Sequence, residues 1–306
     1  MDKNVMDKEN VSIHSSVQEM YEKIHRDGLS NVFDRYGPQE KIRCNFCVEG
    51  VSCQLCTHGP CRISDKANAP LGVCGIDRNA MAMRQLLLLN VMGASTYTHH
   101  AYQAFRTLKS TAEGKTPFSI TDENKLMNMC NSLGIDTLGT KNDAAYRLAE
   151  FLISELHRDH DEPSRMIKVF APRKRQELWQ EYALFPAGVL YEISDATASC
   201  LTNVDGDYVS LATKSLRLGI ATIYCAQIGL EMTQDILFGT PMPHEVDVDL
   251  GILDPNYINL VFNGHQPWAG VATILEARDP SVQQRAKDVG AKGIRVIGSI
   301  ETGQEL

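Results

Sequence analysis

Apolar residues recur at helical spacing along most of the first 240 positions. After a polar N-terminal stretch, Val17, Met20, Tyr21 and Ile24 mark one face of a helix. Asp77 has the form of an N-cap for a long helix, RNAMAMRQLLLLNVMG, in which the run Leu86 to Leu89 predicts burial on most sides. Helical periodicity resumes from about Ser95 to Ala112. Further helices are predicted in NKLMNMCNSLG, with Gly134 as its stop, in AAYRLAEFLISELHRD, in RKRQELWQEYALF and in YVSLATKSLRLGIATIYCAQIG. Residues 44–74 break the pattern. They are interrupted by Gly50, Gly59-Pro60, Pro70 and Gly72 and lack periodic apolar positions, so something other than a core must organise them.

The pattern changes again at GTPMPHEVDVDLGILDP, where Gly239, Pro241, Pro243 and Pro255 end the helical region. Beyond it, YINLVF reads as a buried strand, GVATILEARD as a crossover helix and GIRVIGS as a second strand, an order that implies the start of a parallel sheet. Two strands do not make a sheet core, so the sheet is expected to continue past Leu306 and the chain to be cut short. The predicted fold is therefore multidomain, α and α/β. Residues 1–243 form a helical domain carrying the cysteine segment 44–74, and residues 244–306 form the first part of a Rossmann-like α/β domain.

With 306 residues, 43% of them hydrophobic, the chain can bury a sizeable core without covalent staples. No apolar run approaches the ~20 residues of a membrane span, and MDKNVMDKENVSIHSS lacks a secretory signal's apolar centre; a cytoplasmic location is expected. A net charge of −8 argues against nucleic acid or an anionic membrane as partner. The one basic run, Arg173-Lys174-Arg175, reads as a solvated helix start. In a reducing compartment the nine cysteines are not expected as disulfides. Six fall between Cys44 and Cys74, which points to metal, while Cys130, Cys200 and Cys225 stand alone inside helical apolar patterns and read as small buried hydrophobes.

The six follow the spacing Cys44-x2-Cys47-x5-Cys53-x2-Cys56-x4-Cys61-x12-Cys74. Zinc ribbons separate their two knuckles by a dozen or more residues, and here the gap is five. Four thiolates on an irregular loop suit a [4Fe-4S] cubane, for which Cys53, Cys56, Cys61 and Cys74 are the expected ligands, with zinc as the alternative. Gly59 and Gly72 allow backbone amides to approach the cluster's sulfides. Cys44 and Cys47 remain as half a ligand set, which a second copy of the chain could complete across a two-fold axis.

Several ordered motifs spread over more than 200 residues carry a family resemblance: CQLCTHGPCRI followed by GVCG, the MGAS segment before His99-His100, DILFGTPMP, and LGILDPNYINLVFNGHQP. Together they resemble the N-terminal half of the anaerobic nickel-iron-sulfur carbon monoxide dehydrogenases. The resemblance implies that Cys53, Cys56, Cys61 and Cys74 bind a relay cubane. It also implies that Cys44 and Cys47 bind a cluster shared between two subunits, [2Fe-2S] or [4Fe-4S], the close pair favouring [2Fe-2S]; in many members the second cysteine stands where this chain has Ser52. It further implies a homodimer, a small gaseous substrate, a ferredoxin-like electron partner, and His265 as the histidine ligand of the active nickel-iron-sulfur cluster.

Two positions depart from the family. Glu301 stands where the family's first cysteine ligand of the active cluster falls, and a hard carboxylate in place of a soft thiolate favours an iron-sulfur-oxygen environment. On the helix after MGAS, the face that carries the family's proton-relaying histidines reads Tyr97, His100, Gln103, Arg106, so that only His100 matches, and an arginine does not release its proton. His265 with Glu301 or Glu305 is also similar to the site of the hybrid-cluster proteins. The expected function is CO oxidation with water, His100, Glu301 and Glu305 being the candidate catalytic groups. The alternatives are a hybrid-cluster-like reductase of hydroxylamine or other small nitrogen or oxygen species, and a non-catalytic iron-sulfur electron carrier.

Overall fold

The computed structural model describes residues 11–160, 162–202, 204–243, 245, 253–263 and 267–300. The chain divides into two compact units, Asn45–Pro241 and the pair of segments Met1–Cys44 and Met242–Leu306.

The central unit is a helical body built on one long element. After a short helix, α3 (Asn45–Val48), and two two-residue strands, β1 (Ser52–Cys53) and β2 (Cys61–Arg62), comes α4 (Arg78–Ala112), 35 residues without a break. Asp77 caps it as expected, its carboxylate accepting the Ala80 amide at 2.8 Å. The pause read between Gly93 and Ser95 is absent. Ser95, Thr96 and Thr98 turn their hydroxyls back onto the carbonyls four residues earlier, which satisfies those groups inside the helix, and Ala94 is buried against the core, which outweighs the propensity cost of one glycine. The Leu86–Leu89 run is also less buried than its composition suggests. Leu87 is buried within this unit whereas Leu86 and Leu89 are exposed, because a helix turns consecutive residues to different sides.

On α4 pack α6 (Lys141–Leu156), α9 (Val189–Ser199), α10 (Tyr208–Ala221) and α11 (Ile228–Phe238), with a π-helical turn, Thr222–Gln227, joining the last two; α5 (Glu123–Leu133) lies against α6 and α11, α7 (Arg165–Phe170) against α5 and the π-helical turn, and α8 (Arg173–Glu181) follows α7. Gly134 ends α5 with φ 64°. The C-terminal half of α4 supplies Ala101, Phe105 and Leu108 to the main core, which also holds Leu148 and Leu152 of α6, Cys225 and Leu230. The approach of α11 to α4 depends on Gly229, where a Cβ would lie 2.8 Å from the Phe105 ring. Two carboxylates are buried inside the helical body with full sets of donors or a cation. Glu155 accepts from Arg158 Nε at 2.7 Å, Ser164 Oγ at 2.6 Å and the Met166 amide at 3.1 Å. Glu192 accepts from Arg217 and the Ala187 amide.

The other unit contains α1 (Ser15–Arg26) and α2 (Val32–Glu40), the latter started by a capping box from Asn31 and Asp34. It also contains β3 (Ile258–Asn263) and β4 (Ile294–Ile300), which pair in parallel, Ile258 opposite Ile294, with an irregularity between Leu260 and Val261. Two helices rather than one lie between these strands, α12 (Pro267–Arg278) and α13 (Pro280–Asp288). Pro280 lacks the amide needed to continue α12, and Asp279 starts α13 by accepting the Ser281 amide. Gln283 ties α13 to β4, its side chain accepting the Ile294 amide and donating to the Ile294 carbonyl. Among the described residues no helix is long and apolar enough to cross a membrane.

Candidate metal-cluster site

The cysteine segment is less irregular than its sequence suggests. It forms a minimal antiparallel ribbon in which Cys53 on β1 stands opposite Cys61 on β2. Cys56 lies in the connecting turn, where the Gly59 amide donates to the Cys56 carbonyl at 3.1 Å. Cys74 lies in a tight turn in which Gly72 donates to the Ile76 carbonyl and Gly75 to the Gly72 carbonyl, at 2.9 and 2.8 Å. Glycine fits the ribbon's bend closely: a Cβ on Gly59 would sit 3.2 Å from both the Cys53 carbonyl oxygen and the Cys61 amide nitrogen, tighter than an ordinary contact.

A small second core holds this ribbon on the helices. Val51, Cys53, Ile63 and Ile76 pack with Met81 and Leu87 of α4, Ala196 and Cys200 at the end of α9, and Leu211 and Leu218 of α10; Cys61 and Cys74 flank the cluster of side chains, half-buried. Gln85 fastens β1 to α4 through the Ser52 carbonyl at 3.2 Å. Cys53 is buried and Cys56 half-buried. The hydroxyl of Thr202, from the loop after α9, holds the Cys56 thiol below the ordinary cysteine range; the His58 amide helps, burial opposes, and the Gly59 amide and the charge of Arg84 add to the lowering.

Arg84 is the residue that sequence reading missed. It projects from α4 into this second core, its side chain 2% exposed, with one terminal nitrogen donating to the Asp205 carbonyl at 3.1 Å and its Nε without a hydrogen-bond partner. The signal was present: Arg84 falls on the same helical face as Ala80, Met81 and Leu87, all buried, so the apolar stripe of α4 contains a charge.

The remaining expected residues are dispersed. Cys44 is half-buried and Cys47 exposed, with Cys47 Sγ 3.2 Å from Ser52 Oγ. His100 is buried on α4, while His99 is exposed and lines a cleft of about 350 Å³ with His157, Tyr102 and Ile193. Cys130, Cys200 and Cys225 are buried; burial pushes Cys130 up to about 11 and Cys225 up to about 12. His265, Glu301 and Glu305 lie outside the described residues. Among the described residues no three His, Cys, Asp or Glu side chains converge on a point that would hold one metal ion. A cubane asks for something different, since each of its four thiolates binds a separate iron.

Comparison with known proteins places the chain. The profile of the Prismane/CO dehydrogenase family matches residues 51–306. The chain belongs to this family. It is 52% identical over 306 residues to carbon monoxide dehydrogenase 2 of Methanosarcina acetivorans, covering 98% of this chain and 48% of that protein. It is 50% identical over 296 residues to the carbon monoxide dehydrogenase of Archaeoglobus fulgidus, covering 97% of this chain and 47% of that one. The fold superposes on the nickel-free carbon monoxide dehydrogenase of Thermococcus sp. AM4 with a TM-score of 0.88 at 32% identity, over 97% of this chain and 47% of that chain. It superposes on a subunit of an acetyl-CoA synthase/carbon monoxide dehydrogenase, a structure described by NiZn[Fe4S4] and NiNi[Fe4S4] clusters, with a TM-score of 0.87 at 29% identity, over 96% and 44%. The chain thus spans about half the length of the relatives it matches.

Within this family the donor set fits an iron-sulfur cluster on three observations. The ribbon sets two cysteines opposite each other with a third in its turn, glycine keeps the bend open, and a buried cation with an orphaned N–H stands beside them.

Proposed function

We infer that the chain forms the electron-transfer portion of an anaerobic carbon monoxide dehydrogenase, with Cys53, Cys56, Cys61 and Cys74 holding a [4Fe-4S] relay. The observation that carries the reading is the ribbon register that puts Cys53 opposite Cys61, with Cys56 in the turn between them. When bound, the cubane would supply a one-electron carrier in a setting where the His58 and Gly59 amides and Arg84 act on the Cys56 thiolate. The residues' own work is to favour the thiolate at Cys56, through the Thr202 hydroxyl and the His58 amide, and to exclude water by packing the ribbon onto α4.

In the full reading the protein oxidises CO with water to CO2, releasing two protons and two electrons. Cys44 and Cys47, with the same pair from a second copy, would hold a [2Fe-2S] cluster at a homodimer interface and pass electrons to a ferredoxin-like acceptor in the cytoplasm. His265, with Glu301 or Glu305, would serve the active nickel-iron-sulfur centre, and His100 would hold a proton in transit. The parallel pair β3–β4 would begin a Rossmann-like sheet, dividing residues 244–306 from a helical domain of residues 1–243. Glu301 favours a second reading, an iron-sulfur-oxygen centre that reduces hydroxylamine or a similar small molecule, because it stands where the family's thiolate is expected.

The test uses the full-length gene product, purified without oxygen, with iron, sulfide and nickel measured alongside methyl-viologen-linked CO oxidation and hydroxylamine reduction. Iron and sulfide that Cys74→Ala removes in part, with CO activity, support the first reading. Hydroxylamine reduction by nickel-free protein supports the second. Absence of iron and sulfide in the wild type would sink both.

A further inference from the structure

Arg84 poses a physical problem that the protein chain alone does not solve. A guanidinium stays charged at any pH a protein experiences, so it does not escape burial by losing a proton. Taking such a charge out of water is costly unless an opposite charge and a full set of acceptors replace the solvent. Arg84 is 2% exposed, yet among the described residues no carboxylate forms an ion pair with it. Its one recorded acceptor is the neutral backbone carbonyl of Asp205, and its Nε has none. The nearby carboxylate of Asp205 is occupied by the Ser210 hydroxyl and the Asp207 amide. Elsewhere in this unit a buried carboxylate is at hand: Arg158 Nε donates to Glu155 at 2.7 Å, and Arg217, whose Nε also lacks an acceptor, still reaches Glu192 at 2.7 Å through a terminal nitrogen.

The surroundings of Arg84 are the cysteine segment. The residue after it, Gln85, holds the Ser52 carbonyl of β1; a turn earlier, Met81 packs in the same core as Cys53. The backbone carbonyl of Arg84 lies 3.9 Å from Cys200 Sγ, and the loop that supplies the Asp205 carbonyl also supplies the Thr202 hydroxyl to Cys56. One loop thus reaches both the buried cation and a candidate ligand. What is missing is an anion, and a cubane bound by four thiolates is one, with one more negative charge when reduced than when oxidised.

We propose that Arg84 is the buried counter-charge of the iron-sulfur cluster held by Cys53, Cys56, Cys61 and Cys74, and that it raises the cluster's midpoint potential. This rests on the reading of those four cysteines as ligands. Reduction adds one electron to the cluster, supplied in a titration by dithionite through viologen mediators, and needs no proton. A fixed positive charge in a poorly polarisable surround favours the more negative member of the couple. Arg84 is a positioning residue in this scheme and contacts no substrate.

The experiment is an anaerobic redox titration of the full-length protein, following the reduced relay cluster by electron paramagnetic resonance, for wild type, Arg84→Gln and Arg84→Lys. The expected result for Arg84→Gln, with iron retained, is a reduced-to-oxidised ratio at fixed potential lowered about tenfold, a shift of about 59 mV to more negative potential for a one-electron couple. Arg84→Lys keeps the charge and should remain near wild type. An iron-loaded Arg84→Gln with an unmoved potential overturns the proposal while leaving the ligand assignment intact. Absence of iron from the wild type removes the ligand assignment itself. Should Arg84→Gln take up no iron, Arg84→Lys decides: loading with a near-native potential supports the counter-charge, and failure to load, or a displaced potential, assigns Arg84 to packing alone.

Discussion

Adding one methyl group at each of two glycines should move the protein in opposite directions. At Gly59 the new Cβ would meet the Cys53 carbonyl oxygen and the Cys61 amide nitrogen at 3.2 Å and the Cys56 carbonyl oxygen at 3.4 Å. All three are backbone atoms, so no side-chain rotation relieves the contact, and overpacking of this kind costs about 1–3 kcal/mol. For a unit of the size of Asn45–Pro241, each kcal/mol shifts the midpoint by roughly 2–4 °C, so Gly59→Ala should melt about 2–12 °C lower. At Gly219, inside α10, a Cβ meets nothing within 4 Å. Alanine there removes unfolded-state freedom and should stabilise by about 0.5–1 kcal/mol, or about 1–4 °C. The strain at Gly59 falls on the backbone of three candidate ligands, so iron per chain should drop in Gly59→Ala and hold in Gly219→Ala. Far-UV circular dichroism melts and colorimetric iron assays on anaerobic preparations read both effects. A Gly59→Ala protein with native melting and native iron content would refute the close-packed ribbon.

The buried carboxylate Glu155 and the two most buried thiols yield further outcomes. Glu155→Ala strands the Ser164 hydroxyl, the Met166 amide and the Arg158 guanidinium together, and should cost about 3–5 kcal/mol in a urea unfolding curve, an unchanged midpoint arguing against the clamp. The thiols of Cys130 and Cys225, pushed up to about 11 and about 12 from 9.0 by burial, stay protonated in the folded chain while the unfolded chain sheds those protons above about pH 8.5. Their contribution to stability is therefore fully present below about pH 8.5 and is lost as pH rises through about 11 and 12. Melting temperature should decline with pH above that threshold, and the decline should be shallower in Cys225→Ala; equal slopes would show that this thiol is not buried as described.

Much of this architecture is legible in the sequence because it depends on neighbours along the chain. The spacing of Val17, Met20, Tyr21 and Ile24, the cap at Asp77 and the stop at Gly134 are local chemistry, and each lies where the pattern puts it. The buried state of Cys130 and Cys225 follows from the apolar periodicity around them. The continuity of α4 through Gly93 was less accessible, because the hydroxyl back-bonds and the burial of Ala94 that sustain it are consequences of the packed helix. The same holds for α9, whose mixture of Ser, Thr, Asp and Ala has a weak helical signature and which is stabilised by burying Val189 and Ala196.

At the cluster site the division is sharper. By itself the sequence singled out Cys53, Cys56, Cys61 and Cys74 as the candidate ligand set, since the interval between cysteines is a property of the chain alone and is legible without knowledge of the fold. Only the tertiary structure decided what surrounds them. Arg84 precedes Thr202 and Asp205 by more than a hundred residues, and α4, α9 and α10 must close on one another before a cation on the first can lie beside a loop between the other two. A charge becomes expensive only when water is removed from it, and the removal of water is a property of the packed helices, not of any single segment of the chain.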